Sequence, residues 1–364
     1  MRIVITGATG NVGTALLRVL GEDPAHQLVG ISRRPAGAEP PYDRVEWISA
    51  DLATQAATEV LTEAFSGADA VVHLAWLIQP SYDRELLRRT NQDGTARVIE
   101  AVRRARVPHL VHFSSIGTYS PAATAQPVSE DHPHGGVPSS PYSVDKAAAE
   151  QLLDRFERSL AEAGDAPTTV SRMRPGLILQ AAAASEISRY FLPRPLPVSL
   201  LRQSQLGLVP FPRGFRLQFV HAQDVARAVL LVLRQRAAGA FNVATEPVVD
   251  RASWRAMFGG VAPPVPVPAL RALVHASWAA HLQPVDPGWI DLAASVPVLD
   301  TSRLRQLGWQ PEWDAEQVLR EFIDALRAGR GAASPALAPR SRLGGTLGPS
   351  LAALNRLGAG KPRR

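Results

Sequence analysis

The stretch RIVITGATGNVG, from Arg2 to Gly13, joins a short β-branched apolar run to a turn that contains three glycines. Such a run is typical of a buried strand, and a helical pattern follows the turn. Gly7 permits a tight turn, Gly10 lets the backbone approach a pyrophosphate, and Gly13 allows close packing of helix on sheet. The helix N-terminus supplies free N–H groups and a positive dipole end. The stretch therefore predicts a dinucleotide-binding unit.

Strands and helices continue to alternate after this turn. Further apolar runs, each bounded by polar or turn residues, are QLVGIS, RVEWIS, DAVVHLA, HLVHFSS and TTVSRMR, with helical patterns over 54–65, 84–105 and 143–163 between them. Buried strands that alternate with helices indicate βαβ units. We predict an α/β fold, namely a Rossmann-type doubly wound parallel sheet with a smaller, partly interleaved C-terminal substrate-binding portion.

Changes in composition and in the strand and helix pattern along the chain indicate where these parts divide. We predict an NAD(P)-binding Rossmann domain over 1–176, to which a later segment at about 216–246 returns, and a mainly substrate-binding portion over 177–330. Residues 331–364 are rich in Gly, Pro, Ala and Ser and carry six basic residues and no acid, which is the whole net charge of +6. We predict that this tail is disordered. It is either a solvated appendage or a weak contact for acidic surfaces.

Composition excludes several classes of function. The body before the tail is formally neutral and offers no basic groove for nucleic acid. No apolar run approaches the ~20 residues that span a bilayer, and the N-terminus MRIVITGATG shows no leader or cleavage site. We expect a cytoplasmic protein without membrane contact. Cysteine is absent, and His132 and His134 lack a third ligand at metal spacing, so no metal is predicted.

The end of the second predicted strand bears on the choice of cofactor. An acid there binds the 2′-OH of NAD, whereas arginine accommodates the 2′-phosphate of NADP. The sequence ISRRP has Ser32, Arg33 and Arg34 and no acid. A guanidinium matches phosphate geometry. This favours NADP over NAD, the alternative being that the two arginines cap a surface loop.

Tyr142 and Lys146 lie four apart in the stretch PYSVDKAAAE, so on a helix they share a face. The chain has one other lysine, Lys361, and 37 arginines. A phenol has a pKa near ~10 in water, and a nearby ammonium is expected to lower it. Lysine also offers three donors on a compact charge, which suits ribose hydroxyls. The pair is thus a candidate proton-transfer site.

In these motifs the sequence resembles the extended short-chain dehydrogenase/reductase superfamily, and within it the NAD-dependent epimerase/dehydratase-like group. The motifs that carry the resemblance are GATGNVG, ADL at 50–52, HLAW, NQDGT, FSSIGTY, QFVHAQDVARAV, FNVAT and DTSRLRQLGWQP. They extend to about residue 326, which leaves the tail outside the match.

The resemblance implies a Ser-Tyr-Lys mechanism. Tyr142 would act as general acid/base, Ser115 would hold the same substrate oxygen, and Lys146 would tune Tyr142 and bind the nicotinamide ribose. Asn91 would support the site. The cofactor-binding residues implied by the turn and the resemblance are Gly7, Thr9, Gly10, Asn11, Val12, Gly13, Ser32, Arg33, Arg34, Asp51, Leu52, Leu74, Ala75, Tyr142, Lys146 and Pro175. Helices 84–105 and 143–163 would form a homodimer contact, although a monomer is equally compatible with the sequence.

The substrate is less well marked. Nucleotide-sugar enzymes of the group commonly carry an asparagine where this chain has Leu177, and a Gly-Pro where it has Gln180 and Ala181. Arg216 is one residue out of register with a phosphate-binding arginine of the group. The segment 187–208 is apolar and Pro-rich, which suits a less charged molecule.

Three functions remain open. The first is an NAD(P)-dependent oxidoreductase that acts on a carbonyl or secondary alcohol of a fairly apolar small molecule. The second is a nucleotide-sugar epimerase/dehydratase, which uses the same Ser-Tyr-Lys set. The third is a non-catalytic NAD(P)-binding sensor protein, a class that generally lacks the Tyr/Lys pair present here.

Overall fold

A parallel sheet of seven strands forms the centre of the computed structural model, which describes residues 1–122, 126–163, 168–191 and 210–339. The strands of the chain are β1 Arg2–Thr6, β2 Gln27–Ser32, β3 Val45–Ser49, β4 Ala70–His73, β5 His109–Phe113, β6 Thr169–Pro175, β7 Leu177–Leu179, β8 Phe211–Pro212, β9 Phe219–His221, β10 Gly239–Val243 and β11 Pro264–Val265. The central sheet has the order β10-β6-β5-β4-β1-β2-β3, and every neighbouring pair is parallel. The order reverses beside β1, as expected of a doubly wound sheet.

Helices connect the strands. They are α1 Asn11–Gly21, α2 Ala57–Phe65, α3 Arg84–Arg88, α4 Gly94–Arg104, α5 Pro141–Ala163, α6 Ala184–Phe191, α7 Ala222–Gln235, α8 Arg251–Phe258, α9 Val267–Ala279, α10 Gly288–Ser295, α11 Ser302–Gln306 and α12 Ala315–Arg327. A π-helical turn over Arg89–Asp93 joins α3 to α4. Among the described helices, none is both long and apolar enough to cross a membrane.

The two faces of the sheet bury separate sets of side chains. Ile3 and Ile5 point to one face and pack in a cluster with residues of α1 and α7, whereas Val4 points to the other and packs with residues of α2, α4 and α5. All three side chains are fully buried. The β-branched run of β1 is therefore central because both of its faces are covered.

The C-terminal half contributes strands to the central sheet and to a second, two-stranded sheet. β10 pairs with β6 at the edge of the central sheet, and β9 pairs with β7. A third cluster lies beyond the sheet, where Val318 and Phe322 of α12 pack with Leu179 and Met257. The division of the chain at residue 176 stays a prediction, because the segment after it both returns to the sheet and builds this outer cluster.

The predicted disorder of the tail fails for its first residues. Residues 331–339 lie against the body, with Leu337 fully buried and Ser334 only 3% exposed. Composition suggested disorder, but the buried Leu337 and the side-chain hydrogen bonds of Ser334 and Arg189 hold this stretch against the body. Residues 340–364, and most of the apolar segment 187–208, lie outside the described residues.

Candidate active site

The residues predicted to bind cofactor lie together at the carboxyl ends of the strands of the central sheet. Each follows or ends a parallel strand, or begins a helix beside that edge, and carboxyl ends of parallel strands share an edge. By strand, they are Gly7, Thr9, Gly10, Asn11, Val12 and Gly13 after β1, Ser32, Arg33 and Arg34 at the end of β2, Asp51 and Leu52 after β3, Leu74 and Ala75 after β4, Pro175 at the end of β6, with Tyr142 and Lys146 on α5. The topology thus brings the predicted set to one region.

The glycine turn has the shape that a pyrophosphate requires. Gly7 has φ +73°, and a Cβ there would lie 2.7 Å from the backbone N of Ala75. A Cβ on Gly13 would lie 2.5 Å from the carbonyl oxygen of Gly7, whereas one on Gly10 would meet only that same oxygen, at 3.4 Å. Gly7 and Gly13 are therefore required by the fold, and Gly10 leaves open space at the start of α1. These residues fit a dinucleotide.

The end of β2 offers donors for a phosphate. Arg33 and Arg34 are exposed. Ser32 Oγ is buried and, within the described ranges, has no hydrogen-bond partner. Farther along, Asp51 is exposed and its Oδ1 accepts a hydrogen bond from Ala53 N at 3.0 Å. A hydroxyl and two guanidinium groups, with no carboxylate among them, are donors of the kind that a phosphate group requires.

Ser115 and Tyr142 meet across the gap between β5 and α5. Ser115 Oγ accepts a hydrogen bond from Gly117 N at 3.0 Å and lies close enough to Tyr142 to lower the pKa of its phenol. Gly117 keeps the approach open, because a Cβ there would lie 3.0 Å from Cε1 of Tyr142. The hydroxyl of Ser115 and the phenol of Tyr142 can therefore address one substrate oxygen.

Lys146 lies one turn along α5 from Tyr142. Its Nζ donates to the carbonyl oxygen of Phe113 at 2.8 Å and sits 3.5 Å from the ring centroid of Trp76. The lysine is 3% exposed. Burial lowers the pKa of Lys146 to about 7, opposed by the carboxylates of Glu150 and Asp145.

Burial also decides the state of Tyr142, against the sequence-based expectation. It raises the pKa of Tyr142 to about 12, and the hydrogen bond from Ser115 offsets only part of this effect. The expected lowering by lysine is wrong for the polypeptide alone, because the cost of charging a phenol away from water exceeds the nearby favourable terms. The Tyr142 phenol is thus harder to ionise than a phenol in water and is neutral at pH 7.

Aromatic rings that the sequence reasoning did not connect surround Tyr142. Trp289 of α10 stacks on it, with centroids 5.0 Å apart and planes at 30°, and Trp76 meets its edge at 6.4 Å. Phe191 of α6 meets Trp289 at 5.1 Å. Trp76 Nε1 is buried and, in the described part of the chain, unpaired. These side chains come from three distant segments, so only the W of HLAW gave a local signal.

A buried carboxylate behind Lys146 was also missed. Glu150 lies one turn farther along α5, fully buried, and accepts from Arg174 Nε at 2.8 Å and from Arg172 at 2.9 Å. These arginines hold the pKa of Glu150 far below its usual range despite burial. Glu150 therefore remains charged and favours the ammonium form of Lys146.

The structure also places Asn91 and Leu177, two further residues that the sequence analysis singled out. Asn91 is buried, and its amide both accepts from the backbone N of Leu77 at 2.8 Å and donates to the carbonyl of Leu77 at 3.1 Å. This fixes the loop after β4. Leu177, which replaces the expected asparagine, is 46% exposed. Within the described ranges, no three side chains among His, Asp and Glu group as a metal ion requires.

A family model supplies the identification. The model of the NAD dependent epimerase/dehydratase family matches residues 3–191. The chain belongs to this family. The predicted family and fold class are therefore confirmed.

Curated relatives of this family member differ in reaction. It is 28% identical to a 4-hydroxy-2-methyl-3-oxo-4-farnesyl-3,4-dihydroquinoline-1-oxide ketoreductase of Stigmatella aurantiaca, over 91% of this chain and 98% of that protein. It is 34% identical to a UDP-glucose 4-epimerase of Mycolicibacterium smegmatis, over 43% of this chain and 51% of that protein. An uncharacterized protein of Mycobacterium tuberculosis is 28% identical over 91% of this chain, which spans only 31% of that longer protein.

Solved structures agree on the fold. The Thermus thermophilus UDP-glucose 4-epimerase complex with NAD has a TM-score of 0.62 at 20% identity, covering 90% of this chain and 99% of that one. The dTDP-glucose 4,6-dehydratase DesIV of Streptomyces venezuelae, with NAD bound, has a TM-score of 0.64 at 19% identity, covering 90% and 97%. At this identity the likeness extends to the fold alone.

Proposed function

We propose that this family member is an NADP-preferring oxidoreductase that reduces a carbonyl, or oxidises a secondary alcohol, of a fairly apolar small molecule. The observation that carries the proposal is the environment of Tyr142: its hydroxyl shares a site with Ser115, while Trp289 and Trp76 cover its ring. A wall of aromatic rings favours burial of apolar substrate surface. The phosphates of a nucleotide sugar need charged or hydrogen-bonding donors, and Leu177 supplies none.

The side chains divide the chemistry in the direction of reduction. Tyr142, which is neutral at pH 7 and whose pKa burial raises to about 12, donates its proton to the carbonyl oxygen of the substrate, and Ser115 holds that oxygen by a hydrogen bond. Lys146 holds the ribose of the cofactor and its charge eases the return of a proton to Tyr142. A bound nicotinamide supplies the hydride.

The ketoreductase of Stigmatella aurantiaca supports this proposal. The match covers 91% of this chain and 98% of that protein, whose name gives its substrate as a farnesylated dihydroquinoline oxide. A large apolar ketone is the kind of molecule that the rings beside Tyr142 would accept.

The second candidate is a nucleotide-sugar epimerase. It is favoured by the 34% identity to a UDP-glucose 4-epimerase, although that match covers only 43% of this chain. An epimerase reduces and reoxidises its cofactor within one cycle and keeps it bound. A net oxidoreductase must exchange its cofactor at every turnover.

Denaturing the freshly purified protein and identifying the released nucleotide by mass spectrometry separates the two. Empty protein or a trace of NADP supports the oxidoreductase. Stoichiometric NAD supports the epimerase and contradicts the role given to Arg33.

Replacement of Tyr142 by Phe tests the chemistry. We expect turnover of an apolar ketone with NADPH to fall about 10²–10⁴-fold, the usual worth of a general acid, with unchanged NADPH affinity. Tyr82→Phe is the matched control, because the Tyr82 hydroxyl bonds the carbonyls of Trp278 and Gln283 on the surface. Unchanged turnover in Tyr142→Phe would refute both enzymatic mechanisms.

A further inference from the structure

Residues 330–339, which we name the C-terminal strap, form a folded segment beyond α12. The strap bends back on itself: Ala332 N donates to Leu337 O at 3.1 Å, and Ala338 N donates to Ser334 O at 3.0 Å. A Cβ on Gly331 would lie 2.3 Å from Leu337 O, so the bend requires a glycine there. Leu337 is fully buried. This is a built structure and not a frayed end of the helix.

The strap holds the glycine turn by one side chain. Ser334 Oγ donates to the carbonyl oxygen of Thr9 at 2.8 Å, across 325 residues of sequence. Ser334 is 3% exposed and Thr9 is 8% exposed, so water competes little for this bond. The same hydroxyl accepts from Leu337 N at 3.2 Å, which fixes its direction.

A second side chain holds the other side of Gly10. Gln180 Nε2 donates to the carbonyl oxygen of Asn11 at 2.7 Å and to its Oδ1 at 2.9 Å, and Arg18 donates to Gln180 Oε1 at 3.3 Å. Gln180 is the first of the two residues, Gln180 and Ala181, that this chain has in place of the Gly-Pro common in the group. Ser334 and Gln180 thus donate to the carbonyl oxygens of the two residues that flank Gly10 and hold the backbone there. The N–H groups at the start of α1, which follow this held backbone, suit an anion.

The strap is also hydrogen-bonded to α6. Arg189 of α6 donates to the carbonyls of Ala336 and Ala338, the latter at 2.8 Å. Tyr190, the next residue of α6, lies close enough to Arg33 for that charge to lower its pKa, against a larger rise from burial. The strap is therefore bonded to α6, which carries Tyr190 within electrostatic range of the arginine expected at the 2′-phosphate.

We propose that the C-terminal strap is part of the dinucleotide site and slows the departure of the cofactor, with Ser334 as a positioning residue for the glycine turn. This rests on the dinucleotide binding assumed in the proposed function. Release of the cofactor then requires the strap to loosen from Thr9 or the turn to relax beneath it. The strap would make cofactor exchange a slow step of turnover, as lids do in other enzymes.

The test compares two shortened chains. One ends at Gly329 and lacks the strap; its control ends at Pro339 and lacks only residues 340–364, with their six basic residues. NADPH is bound to each, an excess of NADP is added, and the release rate is followed by stopped-flow energy transfer from tryptophan to the nicotinamide. We expect release from the chain that ends at Gly329 to be at least about tenfold faster than from the control.

Ser334→Ala in the full chain isolates the hydrogen bond. We expect release about three to ten times faster, as for the loss of one buried hydrogen bond, and recovery of the slow rate in Ser334→Thr. Thermal unfolding of each variant without cofactor checks that the body is intact, and the point variants decide the matter if the shortened chain does not fold.

The outcomes separate the two proposals. Wild-type release rates in Ser334→Ala would overturn the role of the strap while leaving the proposed function in place. If the full chain binds neither NADPH nor NADH, the proposed function fails and the strap proposal fails with it.

Discussion

Raising the pH from 7 to 9 should weaken cofactor binding, because Lys146 loses its proton in this range. The amine is buried between the Phe113 carbonyl, 2.8 Å away, and the Trp76 ring, 3.5 Å away, and burial lowers its pKa to about 7. Binding of an anionic cofactor favours the ammonium form. The affinity should therefore be full well below pH 7, be about half of that at pH 7, and fall further as the pH rises.

The size of the effect follows from that pKa. If only the ammonium form binds, the dissociation constant rises in proportion to one plus the ratio of amine to ammonium. Between pH 7 and 9 this ratio grows from about 1 to about 100, so the dissociation constant rises about 50-fold, or about 2.3 kcal/mol. Tyr142, with a pKa near 12, does not titrate in this range. The phosphates of NADPH are already ionised at pH 7.

The assay is titration of NADPH fluorescence at constant ionic strength, at half-unit steps of pH. Lys146→Met is the control and should bind weakly with no slope over the same range. A flat profile in the wild-type protein would refute the reasoning. It would mean that the Trp76 ring and the Glu150 carboxylate keep Lys146 charged through pH 9, and that burial is not the dominant influence on its pKa.

Three further predictions concern charge. Arg33→Ser should weaken NADPH about 10- to 100-fold, the worth of a charge-assisted hydrogen bond, and leave NADH unchanged, as measured by paired titrations. Glu150→Gln should lower the free energy of unfolding by about 3–5 kcal/mol, measured in urea at pH 7, because Arg172 and Arg174 lose their buried partner. Since the pKa of Glu150 is lowered in the folded state, the difference between variant and wild type should shrink as the pH falls below about 4. Burial lowers the pKa of His73 to about 3, so between pH 7.5 and 5 only the unfolded chain takes up a proton at this residue. The free energy of unfolding should therefore fall by about 2 kcal/mol over this range because of His73. In His73→Gln this part of the pH dependence should be absent from urea unfolding curves.

How far the sequence reaches depends on whether a feature is local. The glycine turn, the end of β2 and the pair Tyr142 and Lys146 are each encoded within a few residues, and all lie where the sequence places them on the sheet edge. The fold class followed from the alternation of buried runs and helices.

Features that depend on contacts between distant segments could not be read in this way. Trp289 reaches Tyr142 across 147 positions of the chain, and no spacing marks it. The direction of the Tyr142 pKa was wrong because burial is a property of the packed site and not of the motif. The disorder expected of residues 331–339 failed for a similar reason, since composition does not show that Ser334 meets Thr9.

The place of β10 has a consequence for how this protein could be divided or recombined. The family match ends at residue 191, yet the strand that covers the edge of β6 and the helix that shares a cluster with α1 come later, within 222–243. A fragment cut at the match boundary would expose a flat parallel edge and an apolar helix face, both of which invite aggregation. Exchange of substrate portions between relatives is therefore feasible only by swapping loops into an intact sheet, and not by joining halves.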